Sequence, residues 1–382
     1  MSDPFALRSL DIESLRSRDG AKWQMRHAPF AAWVADMDFP VAPVITDALS
    51  AVIDRNAFGY PNWGGPYALS PAAKLFGPRM SERYGWEVRP DRVHDMIDVL
   101  QGVRATVLHL SEPGDGVVLH MPAYHPFLDT ISQMDRRLVS VVRHGDGFDY
   151  DALETELAES GASIWILCNP HNPLGYVFDR SELERIADIA ERHDLTVISD
   201  EIHADLTMPG VAHVPFESLG AQVSARTVTL ASASKAFNLA GLRWAVMHVG
   251  SDRMERVLEG LPGHYLGAPN LMAVTATVAA WTHGDEWLAA VIEVLAENRL
   301  ALSGLLAEHL PEVVYDPPQA TYLAWLDCSA LGLGPDPATT FLERGVALSA
   351  GPEFGPQGEG HVRLNFATSP AVLAAIVAAM AG

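Results

Sequence analysis

Six short apolar runs lie in the middle of this chain, separated by longer stretches, and that alternation constrains the fold more than any other feature. The runs are Gly116 to Met121 (GVVLHM), Arg137 to Val142 (RLVSVV), Ser163 to Cys168 (SIWILC), Leu195 to Ser199 (LTVIS), Thr227 to Ala231 (TVTLA) and Trp244 to Gly250 (WAVMHVG). Strands this apolar need cover on both faces, which predicts a mostly parallel sheet flanked by helices. Between two of them DRSELERIADIAERHD carries helical periodicity, with Ser181 as its expected start. From about residue 280 the pattern changes to a long helix beginning at GDEWL, a strand in ATYLAWLDC, the segment HVRLNFA and a last helix from about Ser369. The expected organisation is α/β: a segment 1–45 packing on the small domain, a large domain 46–279 and a smaller α+β domain 280–382.

Composition narrows the partners. The 382 residues are 48% hydrophobic and carry a net charge of −22, a balance that can bury a sizeable core and argues against nucleic acid or an anionic membrane. The two cysteines, Cys168 and Cys328, sit in apolar segments and form no CxxC pair, as a reducing cytoplasm permits. The first twenty residues lack the apolar core of a signal peptide, and AVLAAIVAAMAG is too short to span a bilayer. A cytoplasmic protein is expected.

Of the 26 basic residues only three are lysines, Lys22, Lys74 and Lys235. Lys235 lies in SASKAFNLAGLR, just beyond an apolar run. In a partly apolar crevice its amine would lose its proton more readily and act as a nucleophile, which arginine cannot do. The plainer alternative is a surface lysine on the first turn of a helix. Ligands of open parallel sheets bind at the carboxyl ends of the strands. Tyr124 (MPAYHPF), Asn172 (NPHNPLG), Asp200 and His203 (SDEIHADL), Ser232 and Ser234 all follow runs of this kind, so one crevice can hold them. Asp200 is either a buried carboxylate awaiting a cation or a helix cap, and His203 on its own reads as a core histidine. EIHAD lacks the second histidine of a zinc-binding HExxH, and EPGDGVV precedes a strand where a dinucleotide fingerprint would follow one, so neither a metal site nor a nucleotide cradle is expected.

Together NPHNPLG, SDEIHADL and SASKAFNLAGLR resemble the fold-type I pyridoxal-phosphate enzymes, the aspartate aminotransferase superfamily. WVADMDFP, FGYPNW, SEPGDGVVLHMPAYHPF, GDEWL and TYLAWLDC are similar to one branch of it, the MalY/PatB group of cystathionine β-lyases and C–S lyases. The resemblance runs from Trp33 to Phe366. It implies that Lys235 bonds to the aldehyde of pyridoxal 5'-phosphate and later moves the substrate Cα proton. Asp200 would pair with the pyridinium nitrogen, Asn172 would donate to the phenolic oxygen with His203 nearby, and Tyr124 would stack on the ring. The phosphate would be held by Ser232, Arg243 and the backbone N–H groups of Gly102 and Val103, with Tyr60 reaching over from the partner subunit of a homodimer. Arg363 would clamp the carboxylate of an amino-acid substrate.

Three features depart from the branch: Gln101 and Arg104 in LQGVRATV, and Arg243 itself, which is commoner in aminotransferases. The resemblance places Asp36 and Asp38 of WVADMDFP beside the substrate entrance, and both read as solvated or capping acids. The implied reaction is β-elimination on cystathionine or another S-substituted L-cysteine. An aminotransferase is the first alternative, and a regulatory binding protein on the same fold is the second.

Overall fold

In a computed structural model the described residues are 3–65, 68–144, 147–263 and 265–382. After two short helices, Ile12–Arg16 and Ala21–Gln24, comes a two-residue strand β1 (Phe30–Ala31), and the large sheet then takes β2 (Val93–Met96), β3 (Gly116–Met121), β4 (Arg137–His144), β5 (Gly147–Phe148), β6 (Ala162–Cys168), β7 (Thr196–Asp200), β8 (Thr227–Ala231) and β9 (Ala245–Val249). Their order is β2-β9-β8-β7-β6-β3-β4-β5. The five central strands, β8 to β4 in that order, run parallel, while β9, β2 and β5 are antiparallel additions at the margins. All six expected strands are present; β2 and β5, short and partly polar, carry no comparable signal.

The pleat divides the apolar runs between two cores. Val117, Leu119, Met121, Ile164, Ile166 and Ile198 pack on one face with Val103 and Phe127, while Val118, Trp165, Leu167 and Val197 pack on the other with Leu153 and Ile186. The helix Arg180–Arg192 is capped by Asp179, whose side chain accepts from Glu182 N, so the helix begins one residue before the expected Ser181. Ser181 Oγ instead donates to the same Asp179 carboxylate at 2.7 Å.

A second sheet has the order β10-β11-β14-β13, with β10 (Val314–Tyr315), β11 (Leu323–Asp327), β13 (Ser349–Ala350) and β14 (His361–Asn365). The remaining strand, β12 (Val346–Ala347), pairs in parallel with β1. Leu7, Leu15, Trp23 and Phe39 from the amino-terminal segment share one apolar cluster with Leu302 of the helix Asp285–His309, Val362 of β14 and Leu373 of the helix Pro370–Ala381. The chain therefore starts against its own carboxyl-terminal sheet before crossing to the large one.

Candidate active site

Parallel β8, β7, β6 and β3 end side by side, with Asp200 opposite Leu230 on one neighbour and Cys168 on the other. The loops that leave those ends carry Ser232 to Lys235, Asp200 to His203, Asn169 to Asn172 and Pro122 to Tyr124. One cavity is lined by Tyr124, Asn172, Asp200, His203, Ser232, Ser234, Lys235 and Arg243, with Ala35, Asp98, Cys168 and Ile202 also on its wall. Strand topology thus brings together residues from Tyr124 to Arg243, and Ala35 and Asp98 join them from earlier in the chain.

The charges in and beside this cavity are incomplete. Asp200 is 4% exposed, and among the described residues its carboxylate accepts one hydrogen bond, from Ile202 N at 3.1 Å. Burial pushes its carboxyl up to about 7, and the charge of Glu201 adds to the effect. Lys235 is a turn residue, not a helical one, and its Nζ donates to Ala35 O at 3.0 Å. Burial lowers its pKa, Asp36 opposes that, and the nearby Arg363 cation reinforces it. Arg363 is 4% exposed on β14, and burial pulls it down to about 10. Its donors reach Asn172 Oδ1 at 3.0 Å, Trp33 O at 2.9 Å and Ser349 Oγ at 3.1 Å, while Nε is buried without a partner among the described residues. Among the described residues neither Asp200 nor Arg363 has an ion-pair partner. Buried charges left in this state are costly, and a ligand carrying both signs would relieve them.

The neutral groups complete the picture. Arg363 occupies Asn172 Oδ1, which leaves the amide nitrogen to donate to a ligand. His203 is held neutral, its pKa lowered to about 3 by burial and then by the Lys235 and Arg363 charges, and its Nδ1 is buried without a partner among the described residues. These features fit pyridoxal phosphate: an unpaired carboxylate for a protonated ring nitrogen, a depressed amine for an aldehyde, a free amide for a phenolic oxygen and an aromatic ring for stacking.

Several expected residues stand elsewhere. Gly102 and Val103 are buried in the body of the helix Val99–Leu110, and the part of that helix end lining the cavity is Asp98, Val99 and Leu100. The helix starts at Val99 because Asp98 caps it, so the N–H groups free to meet an anion belong to the first turn, not to Gly102. Gly102 serves packing instead: a Cβ there would stand 2.6 Å from Leu230 Cδ2. Ser232 Oγ lines the cavity but donates to Trp244 O at 2.7 Å and accepts from Ser234 N. Tyr60 lies outside the cavity, fully exposed, in a groove with Trp63 and Tyr265. Arg104 is exposed on its helix and does not line the cavity.

The segment Trp33–Phe39 forms the strap that closes the site. Its carbonyls do the holding: Trp33 O accepts from Arg363 and Ser349, Ala35 O from Lys235 and from Tyr322 Oη at 2.8 Å, and Val34 O and Asp36 O from Asn365. Asn238, three residues after Lys235, bonds Met37 through both backbone groups. Asp38 is not a solvated or capping acid. It is 1% exposed and pairs with Lys22 at 2.9 Å, with Trp23 Nε1 also donating to it at 2.9 Å. Tyr322 and Asn365 carry no signal in the sequence, because their partners are backbone atoms.

A parallel sheet presenting a depressed lysine, an unpaired aspartate and a buried arginine defines a pyridoxal-phosphate enzyme of the aminotransferase fold. The chain belongs to the aminotransferase class I and II family, whose sequence pattern matches residues 34–380. It is 37% identical to the cystathionine beta-lyase PatB of Bacillus subtilis over 89% of each chain. It is 31% identical to the cystathionine beta-lyase of Corynebacterium glutamicum, covering 95% of this chain and 96% of that one. The pyridoxal-phosphate-bound C–S lyase of Staphylococcus hominis superposes with a TM-score of 0.87 at 28% identity, over 97% of this chain and 98% of the other.

Proposed function

We propose that the protein is a carbon–sulfur lyase that cleaves L-cystathionine or related S-substituted L-cysteines by β-elimination. With water, such a thioether gives a thiol, pyruvate and ammonia. The observation that carries this reading is the unpaired Asp200, Lys235 and Arg363 converging at one strap-closed site. The choice of lyase over transaminase is supported by the lyase relatives at 31–37% identity.

Pyridoxal phosphate, when bound, supplies an aldehyde for the substrate amine and a ring that accepts the electrons released at Cα. Asp200 would pair with the ring nitrogen and keep it protonated; the folded pocket already disfavours an unpaired carboxylate at this position. Asn172 and His203 would lie at the phenolic oxygen, Tyr124 on the ring, and Ser232, Arg243 and the first turn after Asp98 at the phosphate. Arg363 would hold the substrate carboxylate. Three of its five N–H donors are already committed to Asn172, Trp33 and Ser349, which fixes the guanidinium plane before substrate arrives. Lys235 Nζ would take the Cα proton, and burial favours its neutral form for that task. Ala35 O is the acceptor that steadies Nζ once it is charged.

The wider assignments belong to the same reading. A homodimer with shared active sites is supported by exposed Phe58, Tyr60, Ile97 and Tyr265, with Tyr60 and Tyr265 lining one groove. Buried, free Cys168 and Cys328 accord with the cytoplasm. Of the division into 1–45, 46–279 and 280–382, the packing of the first segment on the last is supported by their shared apolar cluster, which also takes in Leu206 and Phe237 of the large domain.

The test is to incubate the loaded protein with L-cystathionine and no keto acid, and to quantify pyruvate and thiol. Sustained, equal release supports the lyase. Turnover that waits for added keto acid establishes a transaminase and sinks the proposal.

A further inference from the structure

The phosphate end of the cavity already holds an anion of the protein's own. Asp98 caps the helix Val99–Leu110, and its Oδ1 accepts from Gln101 N at 2.7 Å. Its Oδ2 accepts from the Arg243 guanidinium. Asp98, Val99, Leu100, Ser232, Ser234 and Arg243 all line the same cavity. One N–H of the helix end and the arginine, both of which would serve an incoming phosphate, are therefore engaged by the same carboxylate. Arg243 is placed there at some backbone cost: its φ of +60° lies in the left-handed region that side chains rarely adopt. Its side chain is 61% exposed against 23% for Asp98, so the arginine is the freer of the two to turn toward a ligand.

We propose that Asp98 is a resident competitor of the cofactor phosphate: it neutralises Arg243 and the helix end in the free protein, and so weakens cofactor binding. A phosphate dianion must draw Arg243 away from Asp98 or bind beside a like charge, and either route lowers affinity. The opposite role, Asp98 aiming Arg243 at the phosphate, predicts the opposite sign. The inference rests on the cofactor assignment and not on the reaction chosen above.

The test uses protein stripped of cofactor and titrated with pyridoxal phosphate, with pyridoxal as the phosphate-free probe, followed by tryptophan fluorescence. D98N and D98S both remove the charge and keep a helix cap, so the fold is retained, as a thermal melt would verify. Both variants should bind pyridoxal phosphate about tenfold more tightly than wild type, the size of one charge-assisted hydrogen bond regained, with pyridoxal unchanged. R243A should cost more affinity in the D98N background than in wild type, because Arg243 is then fully available. Unchanged or weaker binding by D98N, or an equal gain for pyridoxal, overturns the proposal while leaving the cofactor assignment intact. Failure of wild type to bind pyridoxal phosphate would overturn both.

Discussion

Two lysines face aspartates in this molecule, one buried and one half-buried, and they are built to opposite ends. Lys22 and Asp38 are closed on each other at 2.9 Å, with Trp23 Nε1 on the carboxylate and Asp36 O at 3.2 Å from the amine. Lys235 and Asp200 line one cavity, neither in an ion pair among the described residues, and their pKa values are displaced toward the neutral forms. Pairing makes the first site a clasp that pins the strap to the amino-terminal segment. Separation makes the second site reactive, because each group keeps an unmet electrostatic demand that a ligand can satisfy.

The comparison breaks most sharply at Lys235. K235R keeps a cation but cannot release its proton, so turnover should fall at least about 10³-fold with little change in thermal stability. K22M should do the reverse. It leaves Asp38 buried and unpaired, costing about 3–5 kcal/mol of stability by urea denaturation, while turnover per folded molecule stays within a few-fold.

D200N separates the two aspartates further. Steady-state turnover should drop about 10²–10³-fold, as when a preorganised charge is removed from a reaction site. In the cofactor-free protein the same change should stabilise at high pH. The Asp200 carboxyl is raised from 3.8 to about 7 on folding, so the folded chain holds a proton that the unfolded chain releases. Its contribution to stability is present below pH 4 and lost as pH rises to 7, and D200N should remove that loss in paired denaturation curves. The smallest effect belongs to Y322F. Tyr322 and Lys235 donate to the same Ala35 oxygen. Freeing that oxygen should raise the Lys235 proton affinity, shifting the acid-side limb of the activity profile, where Lys235 must lose its proton, upward in pH with kcat changed only a few-fold. An unshifted profile would assign Tyr322 to packing alone.

The same contrast explains what the sequence made legible. The cavity floor was readable because its residues follow apolar strand runs, and strand ends of a parallel sheet are where ligand groups collect. The strap was not, because Trp33, Val34, Ala35 and Asp36 act through backbone carbonyls that no side-chain pattern announces. Asp38 reads as a solvated acid until Lys22 is seen beside it, across a turn and a strand too short to carry periodicity. The phosphate end was placed a few residues late, at Gly102 and Val103, because the glycine signals close packing against Leu230 and not a loop. Asp98, the residue that sets the helix start, looks in sequence like any other cap.

The central claim is that Lys235, and neither Lys22 nor Lys74, is the reactive amine. Borohydride reduction of the loaded protein fixes pyridoxal phosphate to whichever amine it is bonded to, and peptide mass spectrometry then locates it. The account predicts a single stoichiometric adduct on the peptide carrying Lys235, absent from K235R. An adduct on Lys22 or Lys74, or none on Lys235 in protein that has bound the cofactor, would contradict it.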